Sequence, residues 1–414
     1  MWQIARNISL LAWVGLGLLV TAAGLAASNP ALYRVTLGKD VWTGDWASTY
    51  SAGFDKTLPI RDASIELWTA ISYLLFKEGR DGVLVGDSDW LYSKEEFAID
   101  GKLPETLQRH LGEIVSARGE LRRRGIDLIV ALIPAKARVY PEHLGRYRWP
   151  VDLDPVYQSA RQFLNDNGVA TPDLLQALLA AKPQAQLFLR TDTHWTPEGA
   201  AIVADAIAAG ISRQLAGQQS AVGPGTMQFQ TIAGTPIEHR GDLLNFLPLG
   251  RFGGGIGPAP DQLLPRSTEE VAGVDGGASL DAALLGDDTV PAVLVGTSYS
   301  ANHLWNFDGA LRQALHADLV NAAKEGVGPF QPMQDLLAST TLEDARPRIV
   351  IWEIPERYLW TRVQQCGDKY PRSPGASRHW RSSWPWLRSR RCRAAPAPTT
   401  RRPWCFRRRR SIRS

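Results

Sequence analysis

Apolar and polar positions along this 414-residue chain switch repeatedly between two periods. Residues 63–76 and 104–124 carry apolar side chains at helical spacing. In the second stretch Leu107, Leu111, Ile114, Val115 and Leu121 share one face, and Gly125 ends the helix. Residues 126–133 form instead a continuous apolar run of strand length, the pattern of a strand covered on both faces. Residues 82–92 read as two short strands about a turn at Gly86-Asp87-Ser88-Asp89, and 155–167 as a further helix. A strand at 186–190 is expected to lead into Thr191-Asp192-Thr193-His194, with a helix opening at Pro197 and Thr196 as its cap. Residues 217–288 are rich in Gly and Pro and read as inserted loops. Apolar strands return at 292–295 and 348–354, with a helical stretch from residue 307 between them. Strands that alternate with helices predict an α/β fold, a parallel sheet with helices on both faces.

The two ends of the chain differ from its middle. Residues 8–27 are uncharged and largely apolar, roughly 20 residues and so about enough to cross ~30 Å of hydrocarbon. Arg6 on the leading side predicts an N-terminal transmembrane helix with the rest of the chain outside. The small residues Ala22, Ala23, Gly24, Ala26, Ala27 and Ser28 leave a cleaved signal peptide as the alternative. Either reading puts the domain across the membrane. Residues 366–414 carry 15 Lys or Arg against the single acid Asp368, a net of +14, so the overall +4 leaves about −10 for everything before them. A nucleic-acid partner would therefore rest on the tail alone, and none is expected. Cys366, Cys392 and Cys405 also lie in that tail, so the remainder offers no thiolate to a metal or a substrate. The organisation expected is an anchor or signal at 1–28, a connecting helical segment at 29–80, one catalytic domain at 81–362, and an Arg-rich tail at 363–414, disordered or frame-shifted.

Candidate chemistry concentrates at two places. In Asp192-Thr193-His194 an extended backbone would point both side chains the same way, so that the carboxylate holds Nδ1–H of the imidazole and frees Nε2 to take a proton. Metal ligation and a purely structural role are the other readings of this pair. The second place is Gly296-Thr297-Ser298-Tyr299-Ser300, which follows an apolar strand. A serine on a strand-to-helix turn is exposed at the sheet edge beside backbone N–H groups that can hold an oxyanion. Ser298 or Ser300 serving as a helix cap is the plainer alternative. Gly86-Asp87-Ser88 offers a rival nucleophile, but no helix follows it, and Asp87 and Asp89 oppose negative charge on Ser88. His110, His143, His239, His303, His316 and, in the tail, His379 lack zinc-ligand spacing, and Gly253-Gly254-Gly255 lacks the Gly-Lys-Ser/Thr of a phosphate loop; no metal or cofactor is expected.

The segment Thr191-Asp192-Thr193-His194-Trp195-Thr196-Pro197-Glu198-Gly199-Ala200 resembles the signature of alginate O-acetyltransferases of the AlgJ/AlgX type. Other matching pieces occur in the same order: Ile133-Pro134-Ala135-Lys136-Ala137-Arg138-Val139-Tyr140-Pro141, Arg240-Gly241-Asp242-Leu243, the Ser298 segment, and Trp352-Glu353-Ile354-Pro355-Glu356-Arg357-Tyr358. The resemblance implies an SGNH hydrolase-like fold with permuted motif order, in which Asp-x-His precedes the nucleophile. It also implies a catalytic Ser298, His194 and Asp192, and periplasmic acetylation of an exopolysaccharide at the inner membrane. A membrane-bound O-acyltransferase partner would supply the acetyl groups. Thr297 stands where such proteins often have Asp. Lys136 can meet substrate or acetyl oxygen, or be a surface charge. Asp242 and Asn302 can line the cleft or serve as turn and cap residues, and Tyr299 can shape the acyl pocket or pack in the core. An acetyl-esterase with the same triad, and a non-catalytic polysaccharide-binding scaffold, are the alternatives carried forward.

Overall fold

The structure is a computed structural model that describes residues 60–99, 102–215, 227–271 and 291–361, with short pieces at 15–19, 22, 42–48 and 51. Its strands, in chain order, are β1 (Val83–Val85), β2 (Leu91–Ser93), β3 (Asp127–Ile133), β4 (Phe229–Ala233), β5 (Ile237–His239), β6 (Asp261–Leu263), β7 (Arg266–Glu270), β8 (Ala292–Val295), β9 (Leu319–Asn321) and β10 (Ile349–Pro355). Four of them form a parallel sheet in the order β3-β10-β8-β9. Helices α1 (Arg61–Phe76), α2 (Leu103–Arg123), α3 (Val156–Asp166), α4 (Leu174–Ala181), α5 (Pro197–Leu215), α6 (Ser298–Ala301), α7 (Phe307–Leu315) and α8 (Phe330–Leu337) carry most of the cover.

The continuous apolar run of β3 has a direct cause. Successive side chains point to opposite faces, and both faces are buried. Ile129, Ala131 and Ile133 pack with Leu178 of α4, Val203 and Ile207 of α5 and Leu311 of α7. Leu128, Val130 and Leu132 pack on the other side with Ile114 and Leu121 of α2, Tyr157 of α3 and Met333 of α8. Each such large aliphatic side chain, fully buried, contributes about 1.5–3 kcal/mol. Truncating Leu132 to Ala would cost about 2–5 kcal/mol. In β10 every residue is buried, Glu353 included. A carboxyl in the middle sheet strand is tolerated only if its oxygens are bonded, which points to its role below.

Three expectations need correction. Residues 186–190 are not a strand of the sheet. They double back through a single antiparallel bridge, Phe188 to Trp195, closed by Leu189 N–H to His194 O at 3.1 Å and Thr196 N–H to Leu187 O at 3.0 Å. Leu187, Phe188 and Leu189 are apolar because all three sit in the core, not because they pair in a sheet. Residues 217–288 are not loops throughout: β4 pairs with β7 and β5 with β6, both antiparallel. These strands are short and mostly solvent-facing on β4 and β7, so no apolar run announces them. The third is β9, an edge strand of three residues within the stretch from residue 307 that is expected to be helical.

The turn between β1 and β2 forms as expected, with Ser88 and Asp89 in the left-handed region at φ 55° and 62°. No helix among the described residues is long and apolar enough to cross a membrane. Most of the apolar run at 8–27, the connecting residues up to 59 apart from the short pieces named, and the tail from 362 onward lie outside the described residues.

Candidate active site

The nucleophile turn is built where β8 leaves the sheet. Thr297 is extended and caps α6, its hydroxyl accepting from Tyr299 N–H at 3.3 Å, so Ser298 becomes the first residue of the helix. Parallel pairing of Val295 with Trp352 brings the next residue of β10, Glu353, beside Gly296. A Cβ on Gly296 would stand 2.4 Å from Glu353 Oε2, so only glycine lets the carboxylate approach. Glu353 then accepts from Thr297 N–H at 2.7 Å, from Thr297 Oγ1 at 3.0 Å and from Ser300 Oγ at 3.1 Å. Burial pushes the Glu353 carboxyl up to about 6 against these stabilising bonds. Ser300 thus belongs to the support of the turn. The Ser298 N–H has no acceptor among the described residues, as expected of a first-turn donor, and it lies beside the hydroxyl it would serve as an oxyanion donor.

The imidazole arrives from the loop between residue 186 and α5. His194 Nε2 stands 2.7 Å from Ser298 Oγ, and Nδ1 stands 2.6 Å from Asp192 Oδ1. The network assigns the proton to Nδ1, which donates to the carboxylate and leaves Nε2 to accept from the hydroxyl. The expected extended Asp-x-His is replaced by a turn in which Asp192 Oδ1 also accepts from His194 backbone N–H at 2.9 Å. The two side chains meet all the same, because the carboxylate closes onto the residue two positions ahead. Trp305 stacks on the His194 ring at 5.1 Å with 21° between planes, and its Nε1–H donates to Ser298 O at 3.2 Å. Asp192 is 2% exposed and His194 9%, while Ser298 is half-buried. Ser298 thus keeps part of its surface in solvent, and the groups behind it keep little.

Asp192 Oδ2 has two further donors, His239 Nε2 at 2.8 Å and Asp242 N–H at 3.0 Å. Burial alone would raise the Asp192 pKa; the bonds from His194 and His239 outweigh it and hold the carboxyl far below the usual range. The same bond to Asp192 raises His239. Asp261 of β6 fastens the loop from outside, accepting from Arg190 N–H and Thr191 N–H, each at 2.8 Å, and from Thr191 Oγ1 at 2.5 Å. His239 and Asp261 are cross-strand partners in the β5/β6 hairpin. Sequence reasoning missed both, because no local spacing ties them to Asp192. The one signal was the position of His239 directly before Arg240-Gly241-Asp242.

The other four sequence candidates stand behind or beside the reacting atoms. Lys136 is neither a surface charge nor open to substrate: it is 1% exposed, and Nζ donates to Leu91 O at 2.6 Å and to Arg190 O and Asp192 O, each at 2.9 Å. Burial brings its pKa down to about 8. Asp242 faces inward, accepting from Thr193 N–H at 2.8 Å and Thr193 Oγ1 at 2.6 Å. Tyr299 is buried, lies against the His194 ring at 4.7 Å, and donates to Thr193 O at 2.5 Å. It locks the imidazole loop to the nucleophile helix instead of lining a pocket. Asn302 is half-buried at the end of α6 and caps the next turn, its Oδ1 accepting from Leu304 N–H at 3.0 Å. Ser88, in the β1–β2 turn, is exposed and not bonded to His194. Ligand-capable atoms of Asp192, His194 and Asp242 lie within 4.8 Å of one another. Each of these side chains is committed to hydrogen bonds inside the protein, so we do not assign them as metal ligands.

A half-open serine on a strand-to-helix turn, with an imidazole and a saturated carboxylate behind it at the edge of a parallel sheet, defines the SGNH hydrolase-like class. Residues 83–356 match the family described as "SGNH hydrolase-like domain, acetyltransferase AlgX", and the chain belongs to that family. It is 41% identical over 348 residues to a Pseudomonas aeruginosa protein named probable alginate O-acetylase AlgJ, covering 83% of this chain and 87% of that one. It is also similar to the solved O-acetyltransferase domain of Pseudomonas putida AlgJ, at 41% identity and a TM-score of 0.61, over 68% of this chain and 94% of that one. The structure of Pseudomonas aeruginosa AlgX shares the fold at 23% identity and a TM-score of 0.51, over 66% of this chain and 61% of that one.

Proposed function

We propose that this protein is an O-acetyltransferase that moves acetyl groups onto hydroxyls of an alginate-like exopolysaccharide through an acetyl-Ser298 intermediate. The 2.7 Å contact of His194 Nε2 with Ser298 Oγ carries the reading, because a serine hydroxyl is a poor nucleophile unless a base is within reach. Ser298 Oγ attacks the acetyl carbonyl as its proton passes to His194 Nε2, and Asp192 stabilises the imidazolium. The tetrahedral oxyanion is held by the Ser298 N–H. Collapse of this adduct expels the donor's leaving group, which takes the proton from His194. A sugar hydroxyl then gives its proton to His194 and takes the acetyl group, and Ser298 recovers its own.

The names of the relatives support alginate as the acceptor. The same reading places the domain in the periplasm, held at the inner membrane by the apolar run at 8–27, with a membrane-bound O-acyltransferase as the source of acetyl groups. The test uses the purified chain with an acetyl ester and a polyuronate oligosaccharide. Acetylated oligosaccharide and an acetyl group on Ser298 by peptide mass spectrometry are expected. Ser298→Ala abolishes both, and Ser88→Ala leaves both. Free acetate as sole product supports an esterase instead, and no acyl-serine at all supports a non-catalytic scaffold.

A further inference from the structure

The Asp192 carboxylate is shared between two imidazoles. His194 holds Oδ1 at 2.6 Å and His239 holds Oδ2 at 2.8 Å. Proton transfer from Ser298 uses only the first ring. The two rings differ in what lies beyond them: His194 Nε2 meets Ser298 Oγ at 2.7 Å, whereas the His239 side chain keeps 16% of its surface in solvent against 3% for Asp192. Trp305 contacts both rings, stacked on His194 at 5.1 Å and at 85° to His239 with the ring centres 5.6 Å apart. His239 therefore meets solvent beside a carboxylate that is buried. We propose that His239 is a positioning residue of the reaction, which through the shared Asp192 carboxylate governs how readily His194 takes the Ser298 proton. This rests on the reading of Ser298 and His194 as nucleophile and base.

The surroundings favour a charged His239. Asp192 and His194 face it from the imidazole loop, Asp242 from the turn after β5, and Asp261 from β6, while Glu238 and Arg240 flank it in its own segment. Against these acids stand Arg190, 3.5 Å from Asp261, and Lys136, whose ammonium is spent on backbone carbonyls. The balance raises the His239 pKa, first through the hydrogen bond to Asp192. A charged His239 draws part of the Asp192 negative charge to Oδ2, so the imidazolium that His194 becomes is stabilised less. A neutral donor at the same place keeps the bond and removes the charge.

His239→Gln makes that exchange, and His239→Ala removes both. The measurement is the pH profile of kcat/KM for p-nitrophenyl acetate with the full chain. Without the outer positive charge His194 holds its proton more tightly, so the acid limb of the Gln variant is expected to move to higher pH by about half to one unit. Above that limb the Gln variant retains most of its rate, whereas the Ala variant, with a donor missing from a buried carboxylate, falls about tenfold or more. An acid limb that superimposes on that of the unaltered protein overturns the proposal, as does a Gln variant as impaired as Ala at every pH. Should the variants not fold, histidine-labelled unaltered protein answers the same question by NMR. His194 then shows a second inflection where His239 titrates, and a single inflection overturns the coupling. Ser298→Ala in the same assay keeps the two readings apart: activity that survives it removes the nucleophile, whatever the profiles show.

Discussion

Glu353→Gln tests how the nucleophile turn is held. The side chain is fully buried in the sheet and bonded to Thr297 N–H, Thr297 Oγ1 and Ser300 Oγ. Its carboxyl ionises in the folded protein at about 6, against an ordinary 4.5, because burial disfavours the charge more than these bonds favour it. Between those values the unfolded chain has already released the proton that the folded chain still holds. Folding is therefore unpenalised below pH 4.5, loses stability as pH rises through 6, and bears the full penalty above. A shift of that size is worth about 2 kcal/mol. Glutamine does not titrate. Urea denaturation of both proteins at pH 4 and pH 7.5 is expected to show the stability difference moving by about 2 kcal/mol in favour of the variant as pH rises. Activity moves the other way. A glutamine must turn its NH2 toward oxygens the carboxylate bonded, displacing Ser298 from His194, and a loss of about tenfold or more is expected. A stability difference independent of pH would refute a buried, titrating Glu353; unchanged activity would refute its hold on Ser298.

Two further predictions concern the opposite half of the site. Lys136→Met strips a donor from two buried carbonyls and one part-buried one, at about 1–3 kcal/mol for each buried group left unpaired, so urea denaturation is expected to show a loss of roughly 2–6 kcal/mol. A loss under 1 kcal/mol would mean that the ammonium does not organise the Asp192 loop. Gly241→Ala places a Cβ 2.1 Å from Thr191 O although Gly241 has an ordinary φ of −61°, so the effect is purely steric. Because Gly241 precedes the Asp242 N–H that holds Asp192, acetyl-esterase activity is expected to fall at least tenfold, while far-UV circular dichroism stays unchanged.

The parts of the fold legible in the sequence are those whose burial is uniform along several residues. β3 and β10 read as apolar runs because both faces of each are covered. α2 reads from its stripe, of which Leu111, Ile114 and Leu121 are buried. The pattern fails where burial and pairing come apart. Residues 187–189 are apolar like a strand yet pair with no strand of the sheet, and β4 and β7 pair like strands while showing mostly solvent-facing side chains. Ser298, His194 and Asp192 could be singled out because nucleophile, base and orienting acid are distinctive residue types at recognisable turns. The residues that hold them could not. His239 reaches Asp192 across 47 positions, and Lys136 reaches its carbonyls across 45, 54 and 56.

The two halves of the site are held by separate carboxylates on separate elements. Glu353, from the middle of the sheet, fixes the turn that presents Ser298. Asp192, itself fixed by His239 and the Asp242 N–H, fixes the ring that presents His194. Neither carboxylate touches the other half, so the 2.7 Å between Nε2 and Oγ is set by how the loop packs on the sheet edge, through Tyr299 and Trp305. This division also places a ring whose pKa is raised beside the base, on His239 at the outer oxygen of Asp192. Protonation of that ring lessens the hold of His194 on a proton of its own, and a pH profile reads that coupling directly.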